Sequence, residues 1–284
     1  SPRGPMRPIT VQCSPDADDL FMMRALTERL IDTGDYAFRV DTSPTDALNT
    51  LASGEGPDVC AISLAHYPAV AHRYLLLPHG GSMGEGYGPV VVAREPMALA
   101  DLAGKRVAVP GLTTTAYKTL QMMVQVEPVI TPISPYSLIF EELRAGRVDA
   151  GLIIHEGRLT FADEGFVQVA DIGAWWAEQT GGLPLPLGAN AIRRDLEEPT
   201  ITEVSDLLRR AIRHGLDHLD DAVDWLLAQG GALGTRERVR EYLGMYANER
   251  TYDYGDAGRA GIEAYLERAA AQGLLPACRV EFSA

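Results

Sequence analysis

The sequence predicts an α/β fold of two lobes with a ligand cleft between them, and three observations carry that expectation. Strand-like and helix-like segments alternate through the first and middle parts of the chain. A segment in the first half echoes one in the second. Several apolar strands end on a polar or glycine residue, at the strand ends where open α/β sheets bind their ligands.

The elements follow in order. Thr10 to Cys13 reads as a short strand, and SPDADD, Ser14 to Asp19, leads into an amphipathic helix with Met22, Ala25, Leu26 and Leu30 at helical spacing. Asp16, Asp18 and Asp19 sit where a helix N-terminus favours negative charge, and Asp16 with Asp19 has the spacing of a capping pair. A short helix over Ala47 to Ala52 precedes the strand Asp58 to Ser63. The glycine-rich connection HGGSMGEGYGP, His79 to Pro89, then leads to the β-branched run VVVA. RVAVPG is the next strand, ending at Gly111, and a helix begins near Thr114. Phe140 to Ala145 reads as helix and Ala150 to Ile154 as strand.

From about Glu197 the pattern is helical. Val204, Leu207, Leu208, Ala211 and Ile212 form a core-facing stripe, and Asp221 to Leu227, Arg236 to Met245 and Asp256 to Ala271 continue it. These helices read as packing.

The internal echo pairs LASGEGPDVCAIS, Leu51 to Ser63, with LRAGRVDAGLIIH, Leu143 to His155. Each runs from Leu through Gly to an Asp that opens an apolar strand ending in a polar side chain. Aligning them takes a gap and leaves Ser63 and His155 one place out of step.

Composition narrows the partners. A formal net charge of −14 disfavours a nucleic-acid backbone or an anionic membrane, while leaving room for a locally positive pocket. No apolar run is long enough to span a bilayer. Cys13, Cys60 and Cys278 have no metal-like spacing, and Cys13 and Cys60 lie in apolar runs, as buried free thiols of a reducing compartment do. The first residues lack the apolar segment of a secretory signal. Met6 is read as the native start, with Ser1 to Pro5 appended. A cytoplasmic protein is the expectation.

Among candidate chemical groups His155 stands first, at the end of a buried strand with Glu156 and Arg158 behind it. A strand-end histidine is often only hydrogen-bonded to a nearby loop, and here the two readings weigh about evenly. Its ordinary pKa of about 6.5 suits general acid–base work. TTTAY, Thr113 to Tyr117, follows a strand and opens a helix, so its free N–H groups and hydroxyls make an anion site, although threonine is also an ordinary N-cap. GSMGEGYG, Gly81 to Gly88, lacks the dinucleotide fingerprint and reads as a flexible loop. His214 and His218 have chelating spacing but no third ligand nearby, so no metal site is expected. Trp175 and Trp176 read as core or cleft wall. Nucleotide-hydrolysing P-loop and serine-elbow patterns are both missing from the sequence.

Taken together, SPDADDLFM, PDVCAIS, GEGYGPVVVA, VAVPGLTTTAY, AGLIIHEGRLTF and DIGAWWAEQTGGLPLPLGANAIRRDL resemble the 1,4-dihydroxy-6-naphthoate synthase family of the futalosine route to menaquinone. The resemblance runs from about Ser14 to Leu196 and more loosely through YANERTYDYGDAG. It implies a type II periplasmic-binding-protein fold, with lobes placed at 6–95 plus 190–284 and at 96–189. It also implies a cofactor-free carbon–carbon lyase that cuts cyclic dehypoxanthine futalosine to 1,4-dihydroxy-6-naphthoate, with dihydroxyacetone as co-product. The family's catalytic histidine falls on His155. Its hydroxyl-lined pocket falls on Ser63, Thr114 and Thr115 with the backbone at Ala116, and its aspartate after the first strand falls on Asp19. Two departures stand out. The usual Ser-Pro-Cys-Pro-Asn-Asp reads Ser-Pro-Asp-Ala-Asp-Asp here, and a histidine that often precedes the two threonines is Thr113. The sister chorismate dehydratase and a small-acid solute-binding protein are the competing expectations. All three imply a small carboxylate as ligand.

Overall fold

The computed structural model describes residues 4–133 and 137–283. The chain opens with β1 (Arg7–Cys13), α1 (Ala17–Thr27), β2 (Tyr36–Thr42), α2 (Thr45–Ser53), β3 (Val59–Ser63), α3 (Tyr67–Val70), β4 (Tyr74–Leu76) and β5 (Ser82–Gly84). It crosses to β6 (Val90–Ala93), β7 (Arg106–Val109), α4 (Thr115–Met123), β8 (Glu127–Ile130), α5 (Ser137–Arg144), β9 (Ala150–Ile153), β10 (Val167–Asp171) and α6 (Ile172–Thr180). It returns through β11 (Leu185–Arg193), and the helices α7 (Thr200–Asp217), α8 (Leu219–Ala228), α9 (Arg236–Tyr246), α10 (Glu249–Tyr252) and α11 (Gly255–Ala271) follow.

Two sheets result. The first runs β2-β1-β3-β11-β4, with β5 added on β11, and the second runs β10-β6-β9-β7-β8. Read from its other edge, the second sheet repeats the order of the first. In each, the first strand pairs in parallel with the second and third, and a strand arriving from the other half pairs antiparallel with the third. Strands β3, β6 and β9 are buried along their whole length, which is why they read as unbroken apolar runs rather than alternating ones.

The sequence echo has a physical counterpart. Its two copies are α2–β3 and α5–β9, equivalent positions of the two sheets. Their opening aspartates do the same work: Asp58 Oδ2 accepts the Thr10 N–H of β1 at 2.9 Å, and Asp149 Oδ2 accepts the Arg106 N–H of β7 at 3.1 Å. The sheet boundaries fall earlier than the lobe boundaries read from the sequence. Val90–Ala93 pairs within the second sheet, and all of Leu185–Arg193 lies in the first.

Helix α1 buries Phe21, Met22, Ala25 and Leu26, but the stripe stops there. Leu30 is 42% exposed, because Arg29 turns left-handed (φ 54°) and the chain closes the helix with a Leu30 N–H to Ala25 carbonyl bond of 2.8 Å. The glycine-rich connection is buried over His79–Gly84 and at Gly88 and Pro89, and only Glu85 and Gly86 are exposed. It forms β5 and passes so close to the start of α6 that a Cβ on Gly173 would lie 2.0 Å from the Tyr87 carbonyl carbon. Trp176 is core: its indole N–H donates to the Pro184 carbonyl at 2.9 Å. The α7 stripe expected from the sequence is buried, and α1 packs between α7, α8 and α9 in a second apolar cluster. Among the described residues, no helix is long and apolar enough to cross a membrane.

Candidate active site

The cleft lies where the carboxyl ends of β3 and β9 face each other with the N-termini of α1 and α4. It encloses about 710 Å³ of space, open solvent at its mouth included. Asp19, Ser63, Thr114, Thr115, Ala116 and His155 all line it. The structure therefore brings together the six residues on which the family's site falls.

His155 ends strand β9 abruptly. Its backbone adopts φ 54°, unusual for a residue with a Cβ, and a 3-10 turn follows over His155–Leu159. The imidazole reaches across the cleft: Nδ1 lies 3.3 Å from Asp16 Oδ2 and Nε2 lies 2.9 Å from Thr45 Oγ1. Burial works against its protonation, but the carboxylates of Asp16, Asp18, Asp19 and Glu156 prevail and hold its pKa above the ordinary 6.5. Glu156, 6% exposed, accepts the Ala17 N–H of α1 at 3.0 Å and the Ala232 N–H at 3.3 Å. The turn after β9 thus grips the first helix with one carboxylate and presents an imidazole beside it.

The hydroxyl-bearing side is built on α4. Thr114 is the N-cap, its Oγ1 accepting the Tyr117 N–H at 3.2 Å. The N–H groups of Thr115 and Ala116, in the first turn, have no partner within the helix. The Thr115 hydroxyl is spent on structure: it accepts the Ala65 N–H at 3.0 Å and donates to the Leu187 carbonyl at 2.9 Å, bridging to the first sheet. Ser63 is held by Asn49, whose Oδ1 accepts the Ser63 N–H at 2.9 Å and whose Nδ2 donates to both Ser63 Oγ and Thr113 Oγ1 at 3.0 Å.

Helices α1 and α4 occupy equivalent places in their sheets, so two helix N-termini point into one cleft. The protein's own Glu156 takes the Ala17 N–H of the first. Among the described residues no carboxylate takes the Thr115 or Ala116 N–H of the second.

Asp18 and Asp19 line the pocket with Asp16 and Glu156 beside it, and among the described residues lining it there is no lysine or arginine. The local positive character admitted by the sequence comes from His155 and the α4 N-terminus alone. Asp18 accepts from the Ser82 hydroxyl at 2.6 Å and the Tyr242 hydroxyl at 3.1 Å, and Asp19 accepts the Ser14 N–H at 2.8 Å. The expected capping pair is therefore not formed: the Asp16 side chain caps nothing in α1 and turns to His155. Sequence reasoning missed Thr45, Asn49, Asn190, Tyr242 and Tyr246. The tyrosines come from α9, one of the helices read as packing, and both line the cleft. His214 and His218 stack on each other, ring centres 4.0 Å apart, away from the cleft.

These charges make stability depend on pH. Asp19 is pushed up to about 7 by burial and then by Asp18, and Glu156 to about 7 by burial and then by Asp16. Both bind a proton more tightly folded than unfolded, so stability falls as pH rises from their ordinary values towards 7. His155 acts in the same direction, its contribution present below 6.5 and lost above its raised value. His79, lowered to about 4 by burial and then Arg209, opposes this only between about 4 and 6.5. Thermal melts are therefore expected to show a falling midpoint from pH 6.5 to about pH 8, flattened in Glu156→Gln.

Two sheets of one strand order, two crossings and a polar cleft at the strand ends define the type II periplasmic-binding-protein fold. Solved structures agree. The alkanesulfonate-binding protein SsuA from Xanthomonas axonopodis pv. citri superposes with a TM-score of 0.67 at 16% identity over 96% of each chain, which speaks to fold alone. Protein AF1704 from Archaeoglobus fulgidus superposes with a TM-score of 0.87 at 38% identity, covering 94% of this chain and 98% of its own. Residues 9–271 match the family described as menaquinone biosynthesis. Two relatives called 1,4-dihydroxy-6-naphtoate synthase share this similarity. The Streptomyces coelicolor protein is 36% identical over 95% of both chains, and the Thermus thermophilus protein is 37% identical over 95% of this chain and 96% of its own. The chain belongs to this menaquinone-biosynthesis family.

Proposed function

We propose that the chain is a 1,4-dihydroxy-6-naphthoate synthase acting as a cofactor-independent carbon–carbon lyase on cyclic dehypoxanthine futalosine, with dihydroxyacetone as co-product. The observation that carries this reading is the pairing, at neighbouring strand ends of one cleft, of an imidazole held at Nε2 by Thr45 and faced at Nδ1 by Asp16 with the N-terminus of α4. The N–H groups of Thr115 and Ala116 hold the aromatic carboxylate of the substrate, as helix N-termini hold anions. Thr114 shapes that turn. Ser63, on the opposite wall, meets the sugar-derived oxygens, and Asp19 lies beside them.

In the retro-aldol-like step His155 removes a substrate hydroxyl proton, the oxygen's electron pair forms a carbonyl, and the carbon–carbon bond breaks. Its electron pair passes into the ring system, where formation of an aromatic naphthalene supplies the driving force. The imidazolium left on His155 then returns the proton. Carboxylates around it favour that charged state, as they favour its raised pKa.

The partner in this reading is a small carboxylate, not a nucleic acid or a membrane, in keeping with the net charge of −14. A cytoplasmic setting suits the three cysteines, all free thiols.

The test is naphthoate formation from cyclic dehypoxanthine futalosine by purified protein without added cofactor, followed by chromatography and mass spectrometry, with chorismate in parallel. Product from the cyclic substrate alone is expected. Turnover of chorismate instead points to the sister dehydratase, and tight binding without turnover points to a solute-binding role.

A further inference from the structure

We infer that Asp16 is the positioning residue of His155, supplied by the opposite lobe. The inference rests on the base role proposed above for His155 and extends it to a second residue.

Asp16 occupies the N-cap of α1, where an aspartate ordinarily accepts N–H groups of the first turn. It makes no such bond with its side chain. The helix does not require it, because the Ala17 N–H goes to Glu156 Oε1 at 3.0 Å. With that end satisfied from the other lobe, the Asp16 carboxylate is turned to His155 Nδ1 at 3.3 Å. It is buried, at 3% exposure, so the attraction is little screened by solvent.

The 3.3 Å ion-pair contact with the Asp16 carboxylate favours a proton on Nδ1, which leaves the lone pair of the neutral ring on Nε2 to accept from Thr45 Oγ1 at 2.9 Å. The nitrogen directed into the cleft is then the basic one. An orienting aspartate that also steadies the imidazolium is the logic of the serine-protease triad, realised here between two lobes. Asp16 follows β1 of the first sheet, whereas His155 follows β9 of the second. Three other carboxylates face the ring: Asp18, bonded by Ser82 and Tyr242, Asp19, bonded by the Ser14 N–H, and Glu156, bonded by Ala17 and Ala232. The left-handed backbone of His155 fits this role, since such strain persists where the surroundings over-determine it.

The experiment measures two things on wild type, Asp16→Asn and Asp16→Glu: the titration midpoint of His155 by NMR of its ring, and kcat with KM on the cyclic substrate. In Asp16→Asn the midpoint is expected to move down by about one pH unit or more, with kcat down about 10²-fold or more and KM little changed. Asp16→Glu keeps the charge but misplaces it, so the midpoint stays raised while kcat falls. An Asp16→Asn protein with an unshifted midpoint overturns the inference. So does an Asp16→Glu protein that loses thermal stability but keeps its kcat, because that is the behaviour of a plain helix cap. The NMR midpoints decide the pair even if wild type turns over neither substrate, so failure of the proposed reaction is told apart from failure of the dyad.

Discussion

Replacing His155 by alanine is expected to lower kcat for naphthoate formation by about 10²–10⁴-fold while leaving the affinity for product nearly unchanged. The separation follows from the geometry. His155 faces Asp16 and Thr45, while the α4 N-terminus follows the neighbouring strand β7, so loss of the imidazole removes a proton acceptor and leaves the N–H groups of Thr115 and Ala116 in place. Alanine keeps the Cβ and with it the left-handed strain at φ 54°, so a thermal melt beside wild type checks that the variant is folded. The check is steady-state kinetics beside product binding by calorimetry. Equal losses in kcat and affinity would make His155 a binding residue, and an unchanged kcat would remove it from the chemistry. Wild-type kcat/KM should rise with pH through a midpoint above 6.5, because neighbouring carboxylates stabilise the inactive imidazolium.

Much of this site is legible in the amino-acid sequence. His155, Ser63 and the threonines sit at strand and helix ends, and strand ends are visible in sequence as apolar runs that stop. The echo of Leu51–Ser63 in Leu143–His155 registers a duplicated unit, down to Asp58 and Asp149 each tying a third strand to a first. What stays hidden depends on contacts between distant segments. Tyr242 lies on a helix whose apolar stripe explains it fully as core, and nothing local reveals that its hydroxyl reaches Asp18. Thr45 looks like the start of a short helix until β9 delivers His155 to it. Asp16 reads as a cap because its spacing is a cap's, and only the arrival of Glu156 at Ala17 turns it to another use. The lobe boundaries slip for a similar reason: VVVA and LPLGANAIR are apolar runs at the two crossings, and which sheet claims each depends on pairing rather than composition.

The anion site is best tested at a single backbone N–H. Thr115→Pro removes it with little conformational cost, because Thr115 is the first residue of α4, where proline is tolerated, and Thr114 already has the extended backbone (φ −74°, ψ 149°) required before proline. The substitution also deletes the Thr115 hydroxyl, which ties Ala65 to Leu187. Thr115→Val is therefore the reference: it loses the same hydroxyl, at roughly 1–3 kcal/mol of stability, and retains the N–H. Any difference in ligand affinity between the two variants belongs to the N–H. A hydrogen bond to a charged group is worth about 1.5–3 kcal/mol, so 1,4-dihydroxy-6-naphthoate should bind Thr115→Pro roughly 10- to 150-fold more weakly than Thr115→Val. A naphthalene diol without the carboxylate should bind both alike. Equal affinity of the carboxylate for the two variants would place it elsewhere in the cleft, and with no lysine or arginine among the described residues lining the walls the remaining cation is His155 itself. In that event the imidazole would be an anion clamp instead of a base, and the His155→Ala variant would show a large loss of affinity.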